Sequence, residues 1–287
     1  MKVWMNGELV DKQDAKISVF DHCLLYGDGV FEGIRIYNDT IFQCAAHMDR
    51  LLASAEAIRL EVPFSREQIT DAMYQTLRAN GLSDGYIRLL VTRGPGTLGL
   101  DLDKCSGGAV IIIADTIALY PGEMYENGLE VIIAERRRIS ADMLPPAVKS
   151  CNYLNNILAK AEATDAGAGE AIMLNAEGQV AEASGDNVFL VKGGTVFTPP
   201  PGAGILIGVT RRVVVGLCGK LGIPLEEQPI SVAELRSAEE VFLTGTAAEV
   251  IAVTKVDGQS IGSGKAGPVT RKLLEAFRRF IRDECGG

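Results

Sequence analysis

The sequence predicts an α+β protein of two domains whose sheets are mostly antiparallel. Three observations carry this expectation. At 287 residues the chain is about two average domains long. Its strand-like stretches follow one another in hairpins, joined by turns such as Ala176-Glu177-Gly178 and Gly193-Gly194, instead of alternating with crossover helices. The segment IALYPGEMYENG, residues 117 to 128, has the Pro, Gly and Asn content of a linker. It separates a small domain, 1–116, from a larger and strand-rich one, 129–287.

The elements follow from local patterns. In HMDRLLASAEAIRL the apolar residues Met48, Leu51, Leu52, Ala55 and Ile58 recur at helical spacing. SREQITDAMYQTLRANG opens on a Ser65/Gln68 capping box and closes on Asn80-Gly81, so a second helix is predicted. YIRLLVTR and AVIIIADTI read as strands. Beyond the linker, LEVIIAERR reads as a strand and NYLNNILAKAEATDA as a helix. The short strands AIMLN, QVAEAS, NVFLVK and TVFTP come next, then a helix VTRRVVVGLCGKL that stops at Gly222. EVFLTG and EVIAVTKV are strands, and GPVTRKLLEAFRRFIRDE is a terminal helix.

Composition excludes several function classes. A net charge of -9 disfavours nucleic acid and anionic membranes as partners. The basic clusters Arg136 to Arg138, Arg211-Arg212 and Arg278-Arg279 read as solvated faces or local ion pairs. Six cysteines without CxxC spacing do not make a disulfide framework, and two histidines supply a zinc site or a Ser-His-Asp triad poorly. The N-terminus has no apolar leader and no apolar run is long enough to span a bilayer, so a soluble, cytoplasmic protein is expected.

RGPGTLG places Gly94, Gly96 and Gly99 in GxGxxG spacing after a strand, but LDLDKCSGG does not open a helix, so no helix N-terminus awaits a pyrophosphate. PPPGAGILIGVTRR is a better anion site, because Gly202, Gly204 and Gly208 lead into a helix whose first turn carries Val209 and Thr210. FLTGTAAEV offers a similar turn with Gly245 and Thr246. Glu182 in QVAEASGDNVFLV is a carboxylate among small residues, which is what a heteroaromatic nitrogen needs if it is to stay protonated. Lys149, in LPPAVKSCNYLNN, stands between a diproline and a helix start, where the helix dipole disfavours its charge; a solvated lysine is the ordinary alternative.

In order along the chain these pieces resemble the class-IV pyridoxal-phosphate aminotransferases. EASGDNVF, VFT and LIGVTR, residues 182 to 211, follow the family signature, and HMDRLLASAEAIRL, VKSCNYLNN and GTAAEV stand in family order. YGDGVFEGIR and YIRLL are most similar to branched-chain amino-acid aminotransferases. The resemblance spans essentially the whole chain and implies the two-domain fold type IV. It also implies pyridoxal 5'-phosphate as cofactor, with Lys149 as the lysine that condenses with it. Tyr153 would face the phenolic oxygen and Glu182 the pyridine nitrogen. Arg59, Leu206, Val209, Thr210, Gly245 and Thr246 would hold the rest of the cofactor, chiefly its phosphate.

For the substrate, the resemblance implies a side-chain pocket of Tyr26, Phe31 and Tyr86 with Arg88 nearby. Thr246 and Ala247 would receive the α-carboxylate. The activity implied is ping-pong transfer from leucine, isoleucine or valine to 2-oxoglutarate, in a homodimer or larger assembly. The alternatives on this fold are a D-amino-acid aminotransferase, an (R)-amine transaminase and an aminodeoxychorismate lyase. The first carries an Arg-x-His pair in the glycine-rich loop, and no His follows Arg93 here.

Overall fold

The computed structural model describes residues 1–117 and 122–286, and the described chain divides into two compact units. The first takes Met1–Ile117, Val148–Asn152 and the chain end from Ile281 on; the second takes the stretches between. Neither is a single continuous segment. Of the segment 117–128, residues 118–121 lie outside the described residues.

The first unit is built on one antiparallel sheet. Its strands are β1 (Lys2–Met5), β2 (Glu8–Asp11), β3 (Gly29–Tyr37), β4 (Thr40–Ile41), β5 (Gly85–Thr92) and β6 (Ala109–Asp115), in the order β2-β1-β6-β5-β3-β4. A five-residue helix, α1 (His22–Tyr26), precedes β3. Two longer ones, α2 (Cys44–Ala57) and α3 (Arg66–Asn80), cover one face of the sheet. The capping box at Ser65 and Gln68 and the left-handed Gly81 start and stop α3 as its sequence requires. Met48, Leu51 and Ala55 of α2 and Ile69, Met73 and Leu77 of α3 close over Ile34, Ile36, Ile87, Leu89 and Ile112.

Period two along β3 sorts its residues between two environments. Val30, Ile34 and Ile36 belong to this core, and Glu32 shares their parity. Phe31 and Gly33 point the other way, opposite Leu90 and Arg88 of β5. A Cβ on Gly33 would lie 1.7 Å from the Tyr86 hydroxyl, so glycine is required for that tyrosine to lie across β3.

The second unit opens on α4 (Gly122–Asn127), where a linker was expected. Met124 and Tyr125 pack on the unit's core, and the Tyr125 hydroxyl donates to the carbonyl of Ala248. Packing by these side chains thus outweighs the flanking turn formers. Then come β7 (Leu129–Ile133), α5 (Leu154–Asp165), β8 (Glu170–Leu174), β9 (Val180–Ala183), β10 (Asn187–Lys192) and β11 (Thr195–Thr198). The unit continues with α6 (Val209–Lys220), β12 (Leu225–Glu227), α7 (Val232–Arg236), β13 (Glu240–Gly245), β14 (Glu249–Val256) and β15 (Gln259–Ser260). The last helix, α8, is Pro268–Cys285.

The strand order is β12-β11-β10-β13-β14-β7-β8-β9, with β15 on β14. Most neighbours are antiparallel. The pairs β7–β8, β11–β12 and β7–β14 are parallel, and in the first two a helix, α5 or α6, makes the crossover that a parallel connection needs. Strands β8, β9 and most of β10 are buried on both faces. No helix among the described residues is long and apolar enough to cross a membrane.

Candidate active site

In the first unit the site grows around Phe31. The five residues Val148–Asn152 run beside β3, with an isolated bridge between Val30 and Ser150. The amide of Phe31 donates to the carbonyl of Lys149 (3.0 Å), and that of Cys151 to the carbonyl of Gly29 (2.8 Å). The Lys149 amide donates to Ser54 Oγ on α2. This backbone clamp leaves the side chain to point elsewhere: Lys149 Nζ lies 4.5 Å from the Phe31 ring centre, and the Arg88 guanidinium 4.6 Å from it. Arg88 also lies 5.7 Å from the Tyr86 ring and touches its hydroxyl. Phe31, Tyr86, Arg88 and Lys149 therefore form one cluster of aromatic faces and cations. Tyr26 ends α1, partly exposed, with its ring edge-on to His22.

The helix that follows Lys149 begins two residues later than the stretch NYLNNILAKAEATDA suggests. Tyr153 is the N-cap residue of α5 and Leu154 its first residue. Lys149 therefore lies ahead of the helix, in a strap where the Ser150 amide donates to the Val148 carbonyl (3.0 Å). The bridge to β3 and the bonds to Phe31 and Ser54 hold it there.

Arg59 lies two residues past α2 in the left-handed region, φ +55°. Its carbonyl accepts from Arg93 (2.5 Å), and so does that of Ile58 (2.7 Å). Arg93 is 7% exposed and completes its guanidinium on Asp28, 2.9 Å to each carboxylate oxygen. Four hydrogen bonds from one planar guanidinium, two to Asp28 and two to the carbonyls of Ile58 and Arg59, thus fix the strained backbone of Arg59.

Below Phe31, on the helix side of β3, Glu32 is fully buried. It accepts from Arg50 Nε and from His47 at 2.7 Å each. Burial pushes its carboxyl up, but the bonds from Arg50 and His47 outweigh this and hold it at about 2. Burial pushes His47 down against the opposing pull of Glu32, and the nearby charges of Arg50 and Lys149 act in the same direction as burial. Since the Glu32 value lies below that of the unfolded chain, the stability it contributes is complete above the usual carboxylate range. It disappears as pH falls toward 2, a loss of about 3 kcal/mol. We expect Glu32→Gln to flatten the acid side of the stability curve, read from urea midpoints between neutral pH and pH 3; a curve as steep as wild type would refute this.

The second unit holds the remaining candidates around Glu182 on β9. Glu182 is 5% exposed and its carboxylate accepts from several donors. Arg138 Nε and Nη2 each reach Oε1 at 2.8 Å, and the Leu206 amide (2.9 Å) and Asn187 Nδ2 (3.2 Å) reach Oε2. Arg138 is itself oriented by Asn156 Oδ1, whose amide donates to the Ser184 carbonyl. Such a carboxylate is held ionised. Sequence reasoning missed Arg138, which it placed with a solvated cluster; Arg211 is likewise buried, paired with Glu227 and the Pro199 carbonyl. An arginine a few residues past a buried strand gives no local signal of where it folds back.

α6 starts at Val209, as the glycine pattern predicted. Its N-cap Gly208 offers no side chain to the first-turn amides, and Val209 and Thr210 are buried. A Cβ on Gly208 would meet Asn187 Oδ1 at 2.1 Å, so glycine is required for Asn187 to pack against the turn. β13 ends in Gly245, where a Cβ would strike Asp186 Oδ1 at 1.7 Å, and Thr246 and Ala247 follow in the turn. Thr244 Oγ1, just before, is buried without a hydrogen-bond partner among the described residues. Uncapped amides at the start of a twelve-residue helix, with hydroxyls nearby, suit a phosphate monoester. An ionised buried carboxylate suits a protonated ring nitrogen. The residues present therefore fit pyridoxal phosphate.

Comparison with known proteins agrees with this reading. Residues 29–256 match the family model described as amino-transferase class IV. A putative branched-chain-amino-acid aminotransferase of Methanocaldococcus jannaschii is 47% identical over 286 residues, covering 100% of this chain and 98% of the relative. The branched-chain aminotransferase of Thermoproteus uzoniensis, crystallised with norvaline, superposes with a TM-score of 0.91 at 41% identity, covering 98% and 94% of the two chains. The branched-chain amino acid aminotransferase of Thermobaculum terrenum, in its PLP-bound holo-form, gives 0.88 at 30% identity, covering 98% and 93%. With its whole length matched in this way, the chain belongs to the class-IV aminotransferases.

Proposed function

We propose that the chain transfers the amino group of leucine, isoleucine or valine to 2-oxoglutarate in a ping-pong reaction with pyridoxal 5'-phosphate. The observation that carries the substrate reading is the Phe31, Tyr86 and Arg88 cluster beside Lys149: aromatic surface for a branched aliphatic side chain, and a guanidinium for the second carboxylate of the acceptor. Relatives named as branched-chain aminotransferases support it.

Bound pyridoxal phosphate supplies an aldehyde and an electron-withdrawing ring. Lys149 would be the residue that holds the cofactor covalently, and its freed amine would serve as the base that carries the substrate Cα proton. Glu182, paired with Arg138, would hold the proton on the ring nitrogen. Tyr153 would serve the phenolic oxygen. The amides of Val209 and Thr210, the hydroxyls of Thr210 and Thr246, the Gly245 turn and Arg59 would hold the phosphate, and Leu206 would complete the cofactor site. Tyr26, Phe31 and Tyr86 line the side-chain pocket, and Thr246 and Ala247 receive the α-carboxylate.

Arg93 acts on the phosphate through Arg59. Arg93→Lys keeps the charge but cannot reach Asp28 and two carbonyls together, so we expect cofactor affinity to fall about tenfold, the worth of one charge-assisted bond. Titration of the apoprotein with pyridoxal phosphate checks this, and an unchanged affinity would count against the role. The D-amino-acid reading is disfavoured by the loop itself, since no His follows Arg93 in RGPGTLG.

The exposed apolar residues Val19, Phe20, Leu24, Leu98 and Leu100 of the first unit favour a homodimer or larger assembly. Mixing the holoenzyme with L-leucine, D-alanine, a simple primary amine or aminodeoxychorismate tests the reading: L-leucine alone should discharge the cofactor's visible colour and release the matching 2-oxo acid. Colour unchanged by L-leucine rejects the proposal, and discharge by one of the others selects its replacement.

A further inference from the structure

α1 and the strap Val148–Asn152 meet at Gly29. A Cβ there would lie 2.9 Å from Cys23 Sγ and 3.3 Å from Cys151 Sγ, so the missing side chain makes room for two thiols to lie together. The two share an S–H···S hydrogen bond, both are partly exposed, and both are free. Cys151 comes two residues after Lys149, and Cys23 three before Tyr26. We propose that Cys23 and Cys151 form a thiol modification site, which small-molecule disulfides convert to an intramolecular disulfide that reversibly removes the enzyme's activity.

The pair is chemically divided. The hydrogen bond from Cys23 draws the Cys151 thiol down, helped by the Arg88 charge, while the same bond, burial and nearby carboxylates push Cys23 up. Cys151 is the nucleophile. Its thiolate, having given its proton to solvent, attacks one sulfur of the small disulfide, forming a mixed disulfide and releasing one thiolate. Cys23 then loses its proton and attacks Cys151 Sγ; the mixed bond breaks and the second small thiolate leaves. Two protein thiols are oxidised, one small disulfide is reduced to two thiols, and the two protons end on those thiols.

A disulfide bond of about 2.05 Å is far shorter than any contact between unbonded sulfurs, and what the two side-chain torsions do not absorb on closing it falls on α1 and the strap. The strap is clamped by the carbonyl of Gly29, the amide of Phe31 and Ser54 Oγ. α1 is a single short turn capped by Asp21. Movement of either reaches the site, through Lys149 or through Tyr26, and a displacement of about 1 Å costs a reaction about tenfold or more.

The test is incubation of the holoenzyme with oxidised glutathione, followed by non-reducing peptide mapping and transaminase assay before and after dithiothreitol. Expected are a Cys23–Cys151 cross-linked peptide two hydrogens lighter than the separate thiols, an activity loss of about tenfold or more, and full recovery on reduction. Cys23→Ser and Cys151→Ser should each remain active and lose the response, and Cys105→Ser should keep it. A stable mixed disulfide on one cysteine, a cross-link elsewhere, or a Cys23–Cys151 bond that leaves activity intact overturns the proposal. The activity arm rests on the proposed function, whereas peptide mapping does not, so failure of the two readings is told apart; Cys→Ala versions cover a serine variant that fails to fold.

Discussion

Lys149→Ala should leave a folded protein whose transamination rate has fallen by about 10⁴-fold or more, the contribution of the nucleophilic amine and of the general base together. The fold survives because the strap is held through its backbone. Phe31 donates to the Lys149 carbonyl, the Lys149 amide donates to Ser54, and Val30 bridges Ser150, so none of these contacts uses the amine. Pyridoxal phosphate should still bind through Glu182 and the α6 amides, without the yellow colour of the lysine-bound form. Added methylamine should restore part of the rate, because a free amine can carry the proton that Lys149 no longer carries. Wild-type turnover in the alanine variant would remove Lys149 from the mechanism and with it the proposed reaction.

Glu182→Gln should fail in two separable ways. Arg138 would keep its place beneath β9 with a neutral partner, and an uncompensated buried charge costs about 3 kcal/mol, read as a lower urea midpoint at unchanged slope. The ring nitrogen would also lose the carboxylate that keeps it protonated, which should lower kcat by about 10²-fold to 10³-fold in protein that is still folded. Glu182→Asp restores charge at a shorter reach and should recover stability better than activity. A glutamine variant with wild-type kcat would show that the ring nitrogen takes its proton elsewhere.

How much of this was legible in the sequence varies with how local its cause is. The capping box of α3, the start of α6 after Gly208 and the terminal helix were readable because caps and periodicity act within a few residues. Glu182 was readable as a suspect from its small neighbours. Arg138 was not, since only the long excursion between β7 and α5 brings its guanidinium onto Glu182. The buried Glu32, His47 and Arg50 also gave no sign: β3 alternates correctly, and an acid on its inner face looks like an error until α2 brings two donors to it. Arg93 belongs to a loop whose glycines suggested a ligand, yet its own work is to hold the backbone of Arg59. The helical residues 122–127 show the opposite failure, where turn-forming composition concealed a short element that tertiary packing stabilises.

The strap Val148–Asn152 has a further meaning for the history of such a chain. By packing it belongs to the first unit, yet by sequence it is an insertion in the second. A gene fragment ending at residue 117 would encode a complete sheet without its lysine, and one beginning at 118 would carry a lysine with no β3 to clamp it. Neither unit can be exchanged, duplicated or recruited as a contiguous module while keeping the chemistry. During synthesis the first unit stays unfinished until residues 148–152 and then the chain end from Ile281 on have emerged, so the earliest part of the protein to be made is among the last to be completed.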